Sequence, residues 1–136
     1  MNVKLFKNKF NKCIKLNHNL SKFTWFGVGG NAEILFMPEN EKSLKFFLRN
    51  KPHEYKVLAI GAGSKLIIRD KGINGIVLVT KKLKKISIDN NGVISAQAGA
   101  TDAEVARFAR DCERTGLEFL LGIPGTIGGG IKMNSG

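Results

Sequence analysis

The sequence has few of the residues that mark several common classes of protein. It has two cysteines in 136 residues, too few for a disulfide framework, and neither lies at zinc-ligand spacing from another cysteine or a histidine. No stretch approaches the ~18 uninterrupted apolar residues of a membrane span. A single tryptophan and a single tyrosine form no aromatic platform for stacking nucleic-acid bases. We therefore expect a cytoplasmic protein of about one domain, with no metal, no membrane and no specific nucleic-acid partner.

Charge of one sign predominates. The chain has 22 Lys and Arg against 11 Asp and Glu, a net charge of +11. Six lysines lie within residues 1–22 with no acidic residue among them, and a second group lies at residues 81–85. Such an excess suits nucleic acid or a polyphosphate ligand, but we favour a solvated lysine-rich surface. Apolar residues at helical spacing predict a basic amphipathic helix in the lead-in over residues 1–22: Val3, Phe6, Phe10, Cys13 and Ile14.

Strand and helix patterns alternate after the lead-in, which predicts an α/β or α+β domain over residues 23–136. Apolar runs predict strands at 32–37, 57–60 and 75–79, and the Asn91-Gly92 step predicts a hairpin between 85–89 and 93–97. A helix is predicted over residues 39–50, with Leu44, Phe47 and Leu48 on one face. A second predicted helix starts with a capping box of Thr101 and Glu104 and ends at Gly116. Its side chains predicted to point inward are Val105, Phe108, Ala109 and Cys112.

Glycine is concentrated in two segments, which we call the first glycine turn (residues 61–66) and the second glycine turn (residues 123–130). The first follows a predicted strand, and its unobstructed N–H groups suit a phosphate. It does not complete the dinucleotide fingerprint, because Leu66 replaces the last glycine, and a plain turn remains the alternative. The last 21 residues hold seven of the 16 glycines, so we expect an N-terminal piece of a longer protein.

Candidates for catalysis are scarce. His18 and His53 are isolated in polar contexts, and Ser64 has no histidine in a recognisable nucleophile motif. No pair of carboxylates suggests general acid–base chemistry. From the residues alone, a phosphate- or nucleotide-binding module without catalysis therefore remains an alternative to an enzyme.

Four blocks in order resemble the UDP-N-acetylenolpyruvoylglucosamine reductase (UDP-N-acetylmuramate dehydrogenase) family. They are TWFGVGG at 24–30, GAGSKLIIRDKGING at 61–75, AGA at 98–100 and GLEFLLGIPGTIGGGIKMNSG at 116–136. The resemblance covers about residues 17–136. It implies the N-terminal portion of an α+β FAD-binding domain of the vanillyl-alcohol-oxidase (PCMH) type over residues 23–136, incomplete at its C-terminus and without a substrate domain.

The resemblance also implies the residues that hold FAD. The first glycine turn would bind the pyrophosphate through backbone N–H groups, and the second would line the flavin and its phosphates. These residues are Gly61, Ala62, Gly63, Ser64, Lys65, Leu66, Ile123, Pro124, Gly125, Thr126, Gly128, Gly129 and Gly130, followed closely by Met133 and Asn134.

The family reaction carries hydride from NADPH through FAD to the double bond of UDP-N-acetylglucosamine enolpyruvate, a step of peptidoglycan synthesis. Lys65 departs from the Asn usual in the family, which exchanges an amide for a positive charge. The family's proton-donating Ser, its substrate-orienting Arg and its later Glu would all lie downstream of Gly136. We therefore expect no catalytic residue and no reductase activity in this chain alone. A separate C-terminal chain that completes a half-enzyme is the remaining alternative.

Overall fold

The structure is a computed structural model that describes residue 10 and residues 12–135. None of the helices among these residues is long and apolar enough to cross a membrane. The strands are β1 (Ile14–Asn19), β2 (Asn31–Phe36), β3 (Val57–Ile60), β4 (Ile73–Val79), β5 (Ile86–Ile88) and β6 (Ile94–Ala96). The helices are α1 (Glu41–Asn50), α2 (Asp102–Asp111) and α3 (Ile127–Met133), with 3₁₀ turns at Ser21–Phe23 and Glu118–Gly122.

A four-stranded mixed sheet organises the first half of the chain. Its strand order is β1-β2-β4-β3, with β1 antiparallel to β2 and the other neighbouring pairs parallel. Ile60 at the end of β3 pairs with Val79 at the end of β4. The chain therefore leaves both parallel strands at the same edge of the sheet, where ligands of α/β proteins commonly bind. The first glycine turn begins at this edge.

Apolar side chains pack on both faces of the sheet. On one face, the Phe36 ring stacks on the Phe47 ring of α1 at a centroid distance of 3.8 Å. A capping box between Asn40 and Ser43 begins α1, so the helix presents Phe47 to the sheet. The buried residues of the opposite face are Leu20, Ala32, Leu35, Ile60, Ile68, Val77 and Val79.

The second half of the chain begins with the predicted hairpin, formed by β5 and β6 in antiparallel register. The capping box that starts α2 is also present: the Glu104 N–H donates to Thr101 Oγ1 at 3.1 Å, and the Thr101 N–H donates to Glu104 Oε2 at 2.9 Å. The strands predicted at 32–37, 57–60 and 75–79 are confirmed as β2, β3 and β4, apart from shifts of one or two residues at their ends.

The predicted N-terminal helix is wrong in its C-terminal part. Ile14 begins β1 and pairs with Phe36, which buries it in the core cluster that contains Phe36 and Phe47. Residues from Ile14 onward therefore form a strand paired with β2, although their apolar spacing is helical. Val3 and Phe6 lie outside the described residues, and the division at residue 22 stays a prediction.

Both predicted helices differ from the observed ones at their ends. Helix α1 starts at Glu41 instead of Glu39, because Asn40 is the cap, and Leu48 is exposed instead of buried. Helix α2 ends at Asp111 and not near Gly116, because Glu113 adopts a left-handed conformation with φ of 55°.

Candidate functional site

The structure brings the two glycine turns into contact. The Ser64 hydroxyl donates to the Pro124 carbonyl at 3.4 Å, across 60 residues of sequence. The Cα of Gly61 lies so close to Thr126 that a Cβ added there would overlap Thr126 Oγ1. Glycine at position 61 thus lets the second turn approach the first.

A third segment, around Trp25, closes on the first turn. The Trp25 N–H donates to the Gly63 carbonyl at 3.2 Å. Gly63 has φ of +71°, and a Cβ there would overlap the Phe23 carbonyl oxygen. The Thr24 hydroxyl, which donates to the Val28 carbonyl at 2.7 Å, holds the segment in its own turn. The motif at 24–30 therefore supports the first glycine turn through backbone contacts.

The fourth motif, at 98–100, anchors the second glycine turn. The Ile127 N–H donates to the Ala100 carbonyl at 2.9 Å, and the Gly128 N–H donates to the Ala98 carbonyl at 3.0 Å. An isolated antiparallel bridge joins Thr126 to the residue before α2. All four blocks of the family resemblance thus meet in one region at the edge of the sheet.

The first glycine turn fits an anionic cofactor. Within the described part of the chain, none of the backbone N–H groups of residues 61–66 donates a hydrogen bond to protein. Consecutive unpaired N–H groups form a concavity that binds phosphate. The Lys65 side chain is exposed and forms no described ion pair, while Leu66 packs its side chain against the core and offers only its N–H.

Two buried polar atoms at the second turn lack a hydrogen-bond partner among the described residues: Asp102 Oδ2 and Thr126 Oγ1. Asp102 begins α2, where the residue is 2% exposed, and burial raises the pKa of its carboxyl group. The sequence placed Asp102 only inside the capping box and gave no signal of its burial, which arises because α2 packs against the second turn. Asp102 is the polar residue of this region that the sequence analysis missed.

The remaining predicted residues lie less close to the centre of the site. Ile123 is half-buried, and its N–H donates to the Leu120 carbonyl. Met133 and Asn134 end α3 as exposed residues, and no described hydrogen bond joins either to the first turn.

A groove of about 480 Å³ lies elsewhere, at the edge where β2 and β4 begin. Its rim includes Glu33, whose carboxylate accepts the Gly75 N–H at 2.7 Å, so this acid has a structural partner. The groove contains none of the predicted cofactor residues. In residues 10 and 12–135, no three His, Cys, Asp or Glu side chains lie together as metal ligands.

Comparison with known proteins agrees with this geometry. The family described as "FAD binding domain" matches residues 32–136, which include both glycine turns. The chain belongs to this FAD-binding domain family.

The resemblance to the reductase family is confirmed by individual relatives. UDP-N-acetylenolpyruvoylglucosamine reductase of Orientia tsutsugamushi (strain Boryong) is 42% identical over 132 residues, which are 94% of this chain and 44% of that protein. The protein of the same name from Nitrobacter winogradskyi is 47% identical over 122 residues, 88% of this chain and 40% of that protein. The chain thus spans less than half the length of these curated relatives.

Solved structures confirm the fold. UDP-N-acetylenolpyruvylglucosamine reductase (MurB) from Thermus caldophilus matches with a TM-score of 0.66 and 32% identity, over 90% of this chain and 42% of that one. An alkyldihydroxyacetonephosphate synthase matches with a TM-score of 0.55 at 12% identity, over 81% of this chain, and shows shared fold alone. The predicted α+β flavin-binding fold of the PCMH type is therefore correct.

Proposed function

We propose that this chain is the part of a UDP-N-acetylmuramate dehydrogenase that holds FAD. The observation that carries the proposal is the first glycine turn: the N–H groups of residues 61–66 are free, and the second turn packs directly against them. The turn therefore offers uncharged backbone N–H donors that can bind the oxygens of a diphosphate.

Each segment has a separate task in this proposal. The N–H groups of the first turn bind the pyrophosphate, and exposed Lys65 adds a positive charge beside it. The second turn lines the flavin and its phosphates, with Met133 and Asn134 following it. When bound, FAD supplies hydride transfer from NADPH to the double bond of UDP-N-acetylglucosamine enolpyruvate.

The described residues do not include a group placed to protonate the product. His18 packs edge-on against Phe23 at 6.1 Å, and burial lowers the pKa of its imidazole. His53 is exposed outside the site, and Asp102 is buried beneath the second turn. We therefore propose that proton donation and substrate orientation belong to protein outside these 136 residues, and that this chain alone does not reduce the enolpyruvyl substrate.

The only tryptophan of the chain offers a direct test of FAD binding. Trp25 is 62% exposed, and its backbone contacts Gly63, so a flavin bound at the first turn should quench its fluorescence. The expected result is saturable quenching by FAD, with flavin absorbance retained after desalting. Absence of both would contradict the proposal. Quenching by ADP with no effect of riboflavin would instead favour a nucleotide-binding module.

Activity is tested separately, by following NADPH absorbance with the purified chain, FAD and the enolpyruvyl substrate. We expect no consumption of NADPH that depends on this substrate. Substrate-dependent consumption would show that the catalytic groups lie within the chain after all. Restored activity on mixing with a separately expressed C-terminal portion of a relative would identify the completing half.

A further inference from the structure

The carboxyl group of Asp102 is the most deeply buried acidic group at the candidate site. The residue is 2% exposed, and its Oδ2 atom has no hydrogen-bond partner in the described residues. Its backbone N–H donates to the Gly125 carbonyl at 3.4 Å. Asp102, the first residue of α2, therefore contacts the second glycine turn from the side of this helix.

Both carboxyl oxygens lie against glycines of the second turn. Asp102 Oδ2 is 3.1 Å from the point where a Cβ of residue 125 would stand, and Oδ1 is 3.7 Å from the corresponding point of residue 130. The carboxyl group thus fills the space that Gly125 and Gly130 leave open. It lies between residues 125 and 130 of the segment that is expected to line the flavin and its phosphates.

Burial without an ion pair disfavours a negative charge on Asp102 and outweighs the attraction of the N-terminus of α2 for an anion. None of the four ion pairs among the described residues includes it. Burial of an unpaired carboxylate is costly, and a negative charge here would also repel a diphosphate bound beside the turn. A protonated carboxyl group avoids both costs and keeps one O–H donor.

We propose that Asp102 is a positioning residue that, as a neutral acid, holds the second glycine turn in the shape that receives the flavin phosphates. This role rests on the proposed function, because it assigns the shape of the turn to FAD binding. Asp102 does not contact the reacting atoms. It acts through Gly125 and Gly130, which it supports from the side of α2.

The test compares three variants of the full chain. Asp102→Asn keeps the shape of a neutral acid, Asp102→Ala removes the support, and Asp111→Asn alters an exposed acid of the same helix that pairs with Arg110. One readout is FAD affinity from Trp25 fluorescence. The second is hydrogen exchange of three amides that are bonded in or near the turn, those of Ile127, Gly128 and Gly130.

We expect Asp102→Asn to bind FAD within about threefold of the unsubstituted chain and Asp102→Ala to bind about tenfold more weakly or worse. Exchange of the three amides should accelerate in Asp102→Ala alone, while the amides of β4 stay unchanged. An alanine variant equal to the unsubstituted chain in both readouts overturns the role. An asparagine variant as weak as the alanine variant overturns the neutral form.

Two further outcomes separate this inference from the proposed function. If the unsubstituted chain binds no FAD, the proposed function fails, and the exchange of the three amides still decides whether Asp102 holds the turn. If Asp102→Ala does not fold, as judged by far-ultraviolet circular dichroism, Asp102→Asn decides. Its tenfold weaker binding or faster exchange at the turn would then contradict the proposal.

Discussion

Glycine is required at the site for two different physical reasons. At Gly61 the reason is contact, because a Cβ there would overlap the Thr126 hydroxyl oxygen, which would have to move. At Gly63 it is also conformation, since φ of +71° favours glycine and the Phe23 carbonyl fills the remaining space. Gly122 has neither constraint: nothing lies within 4 Å of its absent Cβ, and its φ is not in the left-handed region.

Alanine substitutions should separate these cases. We expect Gly61→Ala and Gly63→Ala each to weaken FAD binding by about tenfold or more, because Thr126 of the second turn must be displaced in the first variant and the backbone must change in the second. Gly122→Ala, the matched control, should change stability by no more than about 0.5 kcal/mol. Fluorescence titration and thermal unfolding measure both quantities. Unchanged FAD affinity in Gly61→Ala would show that contact between the turns is not needed.

Two acids in the first turn of α2 respond oppositely to their surroundings. Hydrogen bonds from the Thr101 backbone N–H and hydroxyl lower the pKa of Glu104. Burial without a partner raises the pKa of Asp102. Capping chemistry predicts the first effect from sequence alone, whereas the second depends on the docking of α2 against the second glycine turn. The sequence could therefore predict the environment of Glu104, but it could not predict the burial of Asp102.

The opposite shifts predict opposite effects of pH. The lowered pKa of Glu104 contributes stability above the usual carboxyl range that is lost as the pH falls through the lowered value. The raised pKa of Asp102 is a cost that is absent at low pH and grows as the pH rises above the usual aspartate value.

We therefore expect Glu104→Gln to lower, and Asp102→Asn to raise, the free energy of unfolding at pH 7, with both differences shrinking as the pH falls and the carboxyl groups become protonated. Urea unfolding at several pH values measures this. A difference that is independent of pH in either variant would remove the electrostatic explanation.

At the scale of helices and strands, the sequence predicts turns and helix caps better than it predicts which side chains of a helix are buried. The hairpin at Asn91-Gly92 and the cap at Thr101 are confirmed because their signals lie within a few residues. The periodicity of α1 places Phe47 and Leu48 together, but only Phe47 stacks on Phe36, and Leu48 is 41% exposed. Which apolar side chain meets the sheet depends on the docking angle, and periodicity does not contain that angle.

Truncation of these two neighbours should differ in cost. We expect Phe47→Ala to lower the free energy of unfolding by about 3–5 kcal/mol, because it removes a buried ring stacked at 3.8 Å and leaves a cavity. Leu48→Ala should cost less than about 0.5 kcal/mol. Chemical denaturation of both variants gives the comparison. Equal losses would mean that Leu48 is also buried in solution, as its spacing first predicted.

At the scale of the whole molecule, contacts between distant segments form the candidate site. Ser64 meets Pro124 across 60 residues, and Trp25 meets Gly63. Neither contact follows from periodicity or spacing, because the chain could join these loops in many ways. The family resemblance predicted that the two glycine turns share one cofactor, but it gave no contacts for the blocks at 24–30 and 98–100. The same lack of long-range information explains why a helix was predicted where Ile14 begins β1.

The net charge of +11 also acts at this scale. Its field should attract FAD, whose diphosphate is anionic, and salt should screen that attraction. We expect the affinity for FAD to fall by about tenfold between roughly 0.05 and 0.5 M salt, mainly through slower association. Riboflavin, which lacks phosphate, is the control and should show little dependence on salt. Equal salt dependence of the two flavins in stopped-flow fluorescence would mean that the protein's net charge does not steer the diphosphate to its site.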